Sequence, residues 1–212
     1  MKKIILGIFL LHITLNAEYT AKISKINKEI KSRMIKGNSW RKGCPVSLEN
    51  LAYVQVAYWD FHGRSKIGEL IVHKKISKNV VSIFGELYDI KYPIEKMHLV
   101  SDYKGNDWKS IESGNTSAFN CRPVTGNKKK WSKHAYGRAI DLNPIQNPYI
   151  SKNGHISHKA SLAYRKRKHI NKTKGDQAVI LGTDIVTLIF KKEGWIWGGD
   201  WKAIKDYQHF RK

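Results

Sequence analysis

The sequence predicts an α+β fold in which helices pack on a small mixed or antiparallel sheet. Three observations lead to this prediction. Residues 51–73 contain two runs rich in β-branched and aromatic side chains on either side of a turn. Residues 78–90 carry apolar side chains at helical spacing, and a short alternating stretch typical of a strand follows Gly137. The length of 212 residues favours one domain, which we place at 40–212.

The first seventeen residues have the layout of a secretory signal peptide. Lys2 and Lys3 precede the apolar run 4–13, and Ala17 offers a small residue at the cleavage position. The run is too short for a spanning helix, and a retained N-terminal anchor is the alternative. We therefore expect export to the periplasm, the cell wall or the exterior, with no transmembrane segment after signal removal.

The first half of the mature chain then follows in order. Residues 18–39 are a charged lead-in, either a helix or a loose segment. The runs 51–61 and 66–73 form a β-hairpin. Ser77 is placed to cap a helix over 78–90, since serine is a favoured N-cap residue. Further elements are a short strand at 97–100, a polar loop at 102–114 and a strand at 116–124.

The second half contains a long basic segment. No acidic residue occurs between Asp141 and Asp176, whereas lysines and arginines crowd 152–174. Long loops of this kind serve as lids or binding surfaces, and a solvated insertion is the alternative. Beyond it, Thr183 is placed to cap a helix that ends at Gly194, and residues 195–201 form a strand and a tight turn.

The charge balance predicts a polyanionic partner. The chain has 39 Lys and Arg against 17 Asp and Glu, a formal net charge of +22. For an exported protein the candidates are anionic cell-wall polymers, peptidoglycan carboxylates and acidic lipid headgroups. Nucleic acid is supported by the charge alone. The net charge does not distinguish one polyanion from another.

Cys44 and Cys121 are the chain's two cysteines. In an oxidising compartment a distant pair of this kind predicts a disulfide, and two buried free thiols are the alternative. Closing so long a loop stabilises a fold by roughly 4 kcal/mol on the chain-entropy model.

Two short motifs carry the residue types of a metal site. His134 and Asp141 flank Gly137, whose conformational freedom allows the register to reset between them. Asp206 and His209 follow near the C-terminus. Two histidines and one carboxylate leave a position of tetrahedral zinc open for water, which is the catalytic arrangement, with Asp206 as a nearby base. By spacing alone, the histidines could equally be hydrogen-bonded residues of a sheet.

These motifs together resemble the VanY-type zinc D-Ala-D-Ala carboxypeptidases and the related L-alanoyl-D-glutamate endopeptidases. The residues that carry the resemblance are Ser132, His134, Gly137, Ala139, Asp141, Asp206 and His209. The resemblance implies a zinc peptidase fold of the hedgehog/D,D-peptidase type. It assigns one Zn²⁺ per chain to His134, Asp141 and His209, and assigns the base to Asp206. Many family members have glutamate as the base.

The resemblance also implies a catalytic role for Arg122, a guanidinium that would help to stabilise the oxyanion. Ser132 is expected to shape the loop that carries His134, with a direct substrate contact as the alternative, and Trp201 is a candidate for the cleft wall. Asn143 is a candidate for orienting a metal ligand. The implied substrate is the stem peptide of peptidoglycan, acted on by a protein we expect to be monomeric. A D-Ala-D-Ala carboxypeptidase is the first expectation, with an L-alanoyl-D-glutamate endopeptidase or a non-catalytic wall-binding module as alternatives.

Overall fold

The computed structural model describes residues 18–170 and 172–212, so the predicted signal peptide at 1–17 lies outside the described residues. Within this part of the chain, short sheets and helices alternate, and the predicted α+β class is confirmed. Among the described residues no helix has both the length and the apolar character needed to cross a membrane.

The largest sheet has three antiparallel strands. Strand β1 (Ala21–Lys25) pairs with β2 (Leu51–Trp59), which pairs along its whole length with β3 (Ser65–His73). The predicted hairpin is therefore confirmed. Asp60 closes its turn, because one carboxylate oxygen accepts hydrogen bonds from two backbone N–H groups of the turn.

The charged segment 18–39 folds onto the body of the protein. It forms β1 and the helix α1 (Lys28–Lys36), whose first turn is capped by the side chain of Asn27. The helix buries Ile30 and Met34 in an apolar cluster. Strand β1 was not predicted, because the alternation of Ala21 and Ile23 with polar residues is short and lies in a segment rich in charge.

The next helix, α2 (Ser77–Asp89), confirms the predicted helix except at its start. Ser77 is the first helical residue and not the cap, because its hydroxyl donates to the carbonyl of Lys74. Ile76 occupies the N-cap position without a side-chain hydrogen bond. The apolar face of α2 packs on the three-stranded sheet and buries Val80, Ile83, Phe84 and Leu87.

Residues 96–124 differ most from expectation. The predicted strand at 97–100 is reduced to β4 (Lys96–Met97), which pairs in parallel with β5 (Asn115–Thr116). The predicted polar loop contains the helix α3 (Asp107–Glu112). The predicted strand at 116–124 is split between β5 and β6 (Pro123–Val124), because the intervening backbone pairs irregularly with several neighbours.

The predicted disulfide is confirmed: Cys44 and Cys121 are bonded, with their Cα atoms 5.8 Å apart. It links two positions separated by 77 residues and holds the segment after α1 against the residue that precedes Arg122. Strand β6 then forms a hairpin with β7 (Asn127–Trp131), a strand of mostly exposed lysines.

The second three-stranded sheet lies in the C-terminal half and has the order β10-β12-β8. Its strands are β8 (Ala139–Asp141), β10 (Ile196–Trp197) and β12 (His209–Arg211), all antiparallel to their neighbours. Two further strands, β9 (Tyr149–Ile150) and β11 (Lys205–Asp206), pair beside it.

Two helices complete the fold. A single turn, α4 (Lys174–Gln177), ends the basic segment, and α5 (Ile185–Lys192) covers the second sheet. Asp184, and not Thr183, is the N-cap residue of α5, while Gly194 follows the helix with φ +77° as predicted. The main core joins α2 and α5 to both sheets, with Ile140, Leu142, Phe190 and Phe210 fully buried.

We predict that Gly137→Ala destabilises the protein far more than Gly126→Ala. Both glycines have positive φ, +65° and +78°, so alanine is strained at each. At Gly137, however, a Cβ atom would lie 2.6 Å from the backbone nitrogen of His73, whereas at Gly126 it would meet nothing within 4 Å. We expect a loss in unfolding free energy of roughly 1 kcal/mol at Gly126 and roughly 3 kcal/mol or more at Gly137. Urea denaturation measures both, and equal losses would contradict the close packing at Gly137.

Candidate metal and catalytic site

The structure brings the three predicted metal ligands together. His209 lies directly opposite Asp141 in the pairing of β12 with β8, and His134 reaches them from the preceding turn. The Asp141 carboxylate lies 3.1 Å from His134 Nε2 and 2.9 Å from His209 Nδ1. The two imidazole nitrogens are 3.2 Å apart. All three side chains are buried.

The turn that carries His134 is fixed at both ends. The side chain of Ser132 accepts a hydrogen bond from the backbone N–H of His134 and caps the turn Lys133–Tyr136. Gly137 ends the turn in the left-handed conformation, as the sequence predicts. The other ring nitrogen of His134, Nδ1, contacts the carbonyl oxygen of Ala118. When Nδ1 carries the proton and donates to that carbonyl, the Nε2 lone pair points at the ligand group.

The donor set fits a divalent metal such as zinc. Neutral imidazoles and a carboxylate are zinc ligands, and tetrahedral ligands about 2.1 Å from zinc lie about 3.4 Å from one another. The separations of 2.9 to 3.2 Å between the three donor atoms are close to that value. A carboxylate facing two buried imidazole nitrogens therefore has the composition and spacing of a three-ligand site.

Charge inside the site is balanced between these groups. Burial alone would raise the pKa of Asp141, but the two facing imidazoles outweigh it and hold the pKa well below its usual range. For His134, burial alone would lower the pKa, but the Asp141 carboxylate outweighs it and raises the pKa above the usual value. The buried carboxylate therefore favours a positive charge in the position next to it, which a proton on His134 would supply. A metal ion would take the place of that proton.

Asp206 faces the same site from strand β11. Burial raises the pKa of its carboxyl to about 6, and the negative charge of Asp141 contributes in the same direction. Gln208 donates a hydrogen bond of 3.2 Å to one of its oxygens. An aspartate with a pKa near neutrality is suited to accept a proton and to release it again.

Arg122 points into the same cleft and has a partner that was not predicted. Its guanidinium forms an ion pair of 3.0 Å with Asp107, at the start of helix α3. The other terminal nitrogen donates to the carbonyl of Pro123. Asp107 was missed because residues 102–114 were interpreted as a loop. Asn106 is a favoured N-cap residue, and its side chain does cap the helix. The segment that follows is too short to show apolar residues at helical spacing, so the helix was not predicted.

Three other candidate residues make contacts around the site. Ser132 caps the His134 turn and is not among the residues that line the cleft. Trp201 packs its ring 5.4 Å from that of His209 and is likewise absent from the cleft lining. Asn143 orients no ligand, since its amide joins the backbone of Glu95 and Pro93 instead.

A cleft of about 320 Å³ opens beside these groups. Its lining comprises Asp107, Trp108, Ile111, Arg122, Thr125, Asp141, Pro144, Pro148, Tyr149, Ile156, Ser157, His158, Ser161, Asp206 and Gln208. A larger cavity of about 830 Å³ lies between β1, α1 and β2. The larger cavity is lined by none of the predicted ligands, nor by Asp206 or Arg122, so the smaller cleft is the candidate active site.

Comparison with known families supports this choice. Residues 125–212 match the model of a family described as D-alanyl-D-alanine carboxypeptidase. The resemblance to the VanY-type peptidases is confirmed. The matched segment contains His134, Asp141, Asp206 and His209, and it indicates a peptidase. Arg122 and Asp107 lie outside it. No curated protein and no solved structure matches the chain.

The basic segment 152–174 contributes to the cleft as well as to the surface. Ile156, Ser157, His158 and Ser161 line the cleft. Arg167 is not a surface cation, because it donates to the carbonyls of Gln146 and Ile180 and to the side chain of Asn147, and its guanidinium lies 4.4 Å from the centre of the Tyr207 ring. Burial lowers its pKa to about 10. A surface of this segment that binds cell-wall polymers would have to exclude Arg167.

We predict different metal affinities for His209→Ala and Asp206→Asn. Removing the His209 imidazole takes away one of three donors, so zinc affinity falls at least about 100-fold. Asp206 is outside the donor group, and its amide variant keeps zinc affinity within about tenfold. Competition with a chromophoric chelator measures both, and Lys202→Ala on the exposed turn is the control. If Asp206→Asn lost zinc as severely as His209→Ala, the separation of ligand from base would be wrong.

Proposed function

We propose that this protein is an exported zinc metallopeptidase that hydrolyses an amide bond of the peptidoglycan stem peptide. Removal of a terminal D-alanine is the reaction that the family match favours. The observation that carries the proposal is the convergence of His134, Asp141 and His209 beside a second carboxylate of raised pKa, Asp206. A metal site with a separate base is the arrangement that amide hydrolysis requires.

His134, Asp141 and His209 would hold the zinc ion. When bound there, zinc polarises the scissile carbonyl and activates water for attack at neutral pH. Asp206 accepts the proton that the attacking water loses and delivers it to the departing amine. The same carboxyl can do both because its pKa, raised to about 6, leaves it ionised at neutral pH yet able to take up a proton and release it again.

Arg122 would stabilise the negative charge that develops on the carbonyl oxygen. Its ion pair with Asp107 holds the guanidinium in place, so little reorganisation is needed during the reaction. The neighbouring disulfide contributes to the same end, since Cys121 precedes Arg122 directly. The position of this arginine therefore depends on two contacts that lie outside the family-matched segment.

Export and wall binding remain parts of the proposal. The signal-like residues 1–17 support export, and a disulfide is the form that cysteines take in an oxidising compartment. The net charge of +22 supports attraction to anionic wall polymers. The exposed lysines of β7, and the lysines and arginines of the basic segment other than the half-buried Arg167, would provide that surface.

We predict that the zinc-loaded protein releases D-alanine from a soluble pentapeptide stem. The N-terminus of this peptide is acetylated, so that the masses of the products show which bond is cut. Removal of the terminal residue releases free D-alanine, whereas cleavage between L-alanine and D-glutamate would instead release acetyl-L-alanine. Asp206→Asn is the matched control, because it changes one atom of the side chain and should lower kcat by about 10² to 10⁴.

Either peptide product supports a stem-peptide hydrolase, and the masses decide which of the two family activities it is. An intact peptide after exhaustive incubation with zinc-loaded protein would leave a non-catalytic wall-binding protein as the better account, and would refute the proposed hydrolysis.

A further inference from the structure

Four residues of the cleft carry buried polar atoms that have no hydrogen-bond partner among the described residues. They are Arg122 Nε, His158 Nδ1, Ser161 Oγ and Gln208 Oε1. Eight such side-chain atoms occur in the part of the chain that the structure describes, so half of them belong to residues that line this one cleft. A buried polar atom without a partner costs free energy in folding, and a ligand that pairs with it recovers that cost.

Two of these residues, His158 and Ser161, come from the basic segment 152–174, which also supplies Ile156 to the cleft. Ser161 lines the cleft and is 1% exposed, so its hydroxyl is shielded from bulk solvent. Burial lowers the pKa of His158, although Asp107 and Glu112 oppose the shift, so its ring is neutral at neutral pH. Neutral hydroxyl and imidazole groups match the N–H and C=O groups of a peptide.

Helix α3 meets this segment at the edge of the cleft. The ring of Trp108 lies 3.9 Å from that of His158, centre to centre, and remains 48% exposed. Ile111 lines the cleft one turn further along the helix. Trp108 and Ile111 offer apolar contact to small aliphatic side chains such as the methyl group of alanine.

The segment 152–174 is anchored to the body of the protein near its middle. Arg167 binds the backbone or side chains of Gln146, Asn147 and Ile180 and stacks on Tyr207. Arg165 donates to the carbonyl of Gly154 and closes the loop on itself. A wall held in this way is organised before a ligand arrives, which reduces the entropy lost on binding.

The charge within the cleft does not suit an anionic polymer. Asp107, Asp141 and Asp206 line it, whereas Arg122 is its one Lys or Arg among the described residues and is already paired with Asp107. The excess of carboxylates suits a divalent metal and a ligand of low charge. The four residues that the basic segment contributes to the cleft, Ile156, Ser157, His158 and Ser161, include no lysine or arginine.

We propose that Trp108, His158 and Ser161 form a recognition wall that binds the peptide backbone of the substrate across the cleft from the metal ligands. This inference rests on the proposed peptidase function and assigns the substrate contacts to a segment that precedes the family match and to the basic segment within it. His158 and Ser161 hydrogen-bond the backbone, and Trp108 covers it. The three residues determine substrate affinity and do not take part in proton transfer.

The test uses the zinc-loaded full chain and a soluble stem peptide. Ser161→Ala and His158→Ala each raise KM roughly threefold to tenfold, which is the loss of one hydrogen bond, while kcat stays within about twofold. Leu162→Ala is the control, because Leu162 is 46% exposed on the same turn and is not part of the cleft lining. The control should keep the wild-type KM.

A stability measurement separates recognition from folding. Ser161→Ala removes a buried hydroxyl that has no partner among the described residues, so the metal-free variant should melt at or above the wild-type temperature. A raised KM with unimpaired stability supports the wall. A wild-type KM for both Ser161→Ala and His158→Ala refutes it, and so does a raised KM that accompanies a lower melting temperature. Failure of the wild-type enzyme to cut any stem peptide would instead refute the proposed function, and the wall with it.

Discussion

The Asp141 carboxylate, buried between the imidazoles of His134 and His209, is the interaction on which the rest of the site depends. A buried charge is tolerated only where it is paired, and here two strands and a turn supply its partners. The pairing of His209 with Asp141 across β12 and β8 fixes two of the three groups by backbone hydrogen bonds alone. The third group, the His134 imidazole, is fixed by Ser132, Gly137 and the carbonyl of Ala118. The protein therefore holds the donor group in place before any metal binds.

The cleft is assembled from distant parts of the chain around this centre. Its floor, with Asp141 and Asp206, belongs to the family-matched segment, whereas Arg122 and Asp107 come from residues that precede it. The disulfide between Cys44 and Cys121 holds the end of that earlier region close to the floor. Arg167 holds the basic segment 152–174 against the body of the protein through its contacts with Asn147 and Tyr207. One covalent and one hydrogen-bonded anchor thus place the two walls.

Much of this arrangement could be predicted from sequence, and the exceptions have physical reasons. In the hairpin and in helices α2 and α5, apolar residues recur at strand or helix spacing, and such a pattern predicts a buried face directly. Strand β1 and helix α3 were missed because their stability comes from neighbours rather than from their own pattern. The grouping of His134, Asp141 and His209 was expected from residue type, spacing and family resemblance. The role of Arg167 was not expected, since a run of basic residues gives no sign that one of them is half-buried and bonded to the body of the protein.

The account makes one claim that every other part of it requires: the buried donor group holds a metal ion without which the peptide bond is not cut. Titration of metal-free protein with zinc, with turnover of a soluble stem peptide recorded at each addition, tests it directly. The account predicts negligible turnover at the start and a linear rise that ends at one zinc per chain. Full turnover before any zinc is added would contradict it, and so would a rise that persists unchanged in Asp141→Asn.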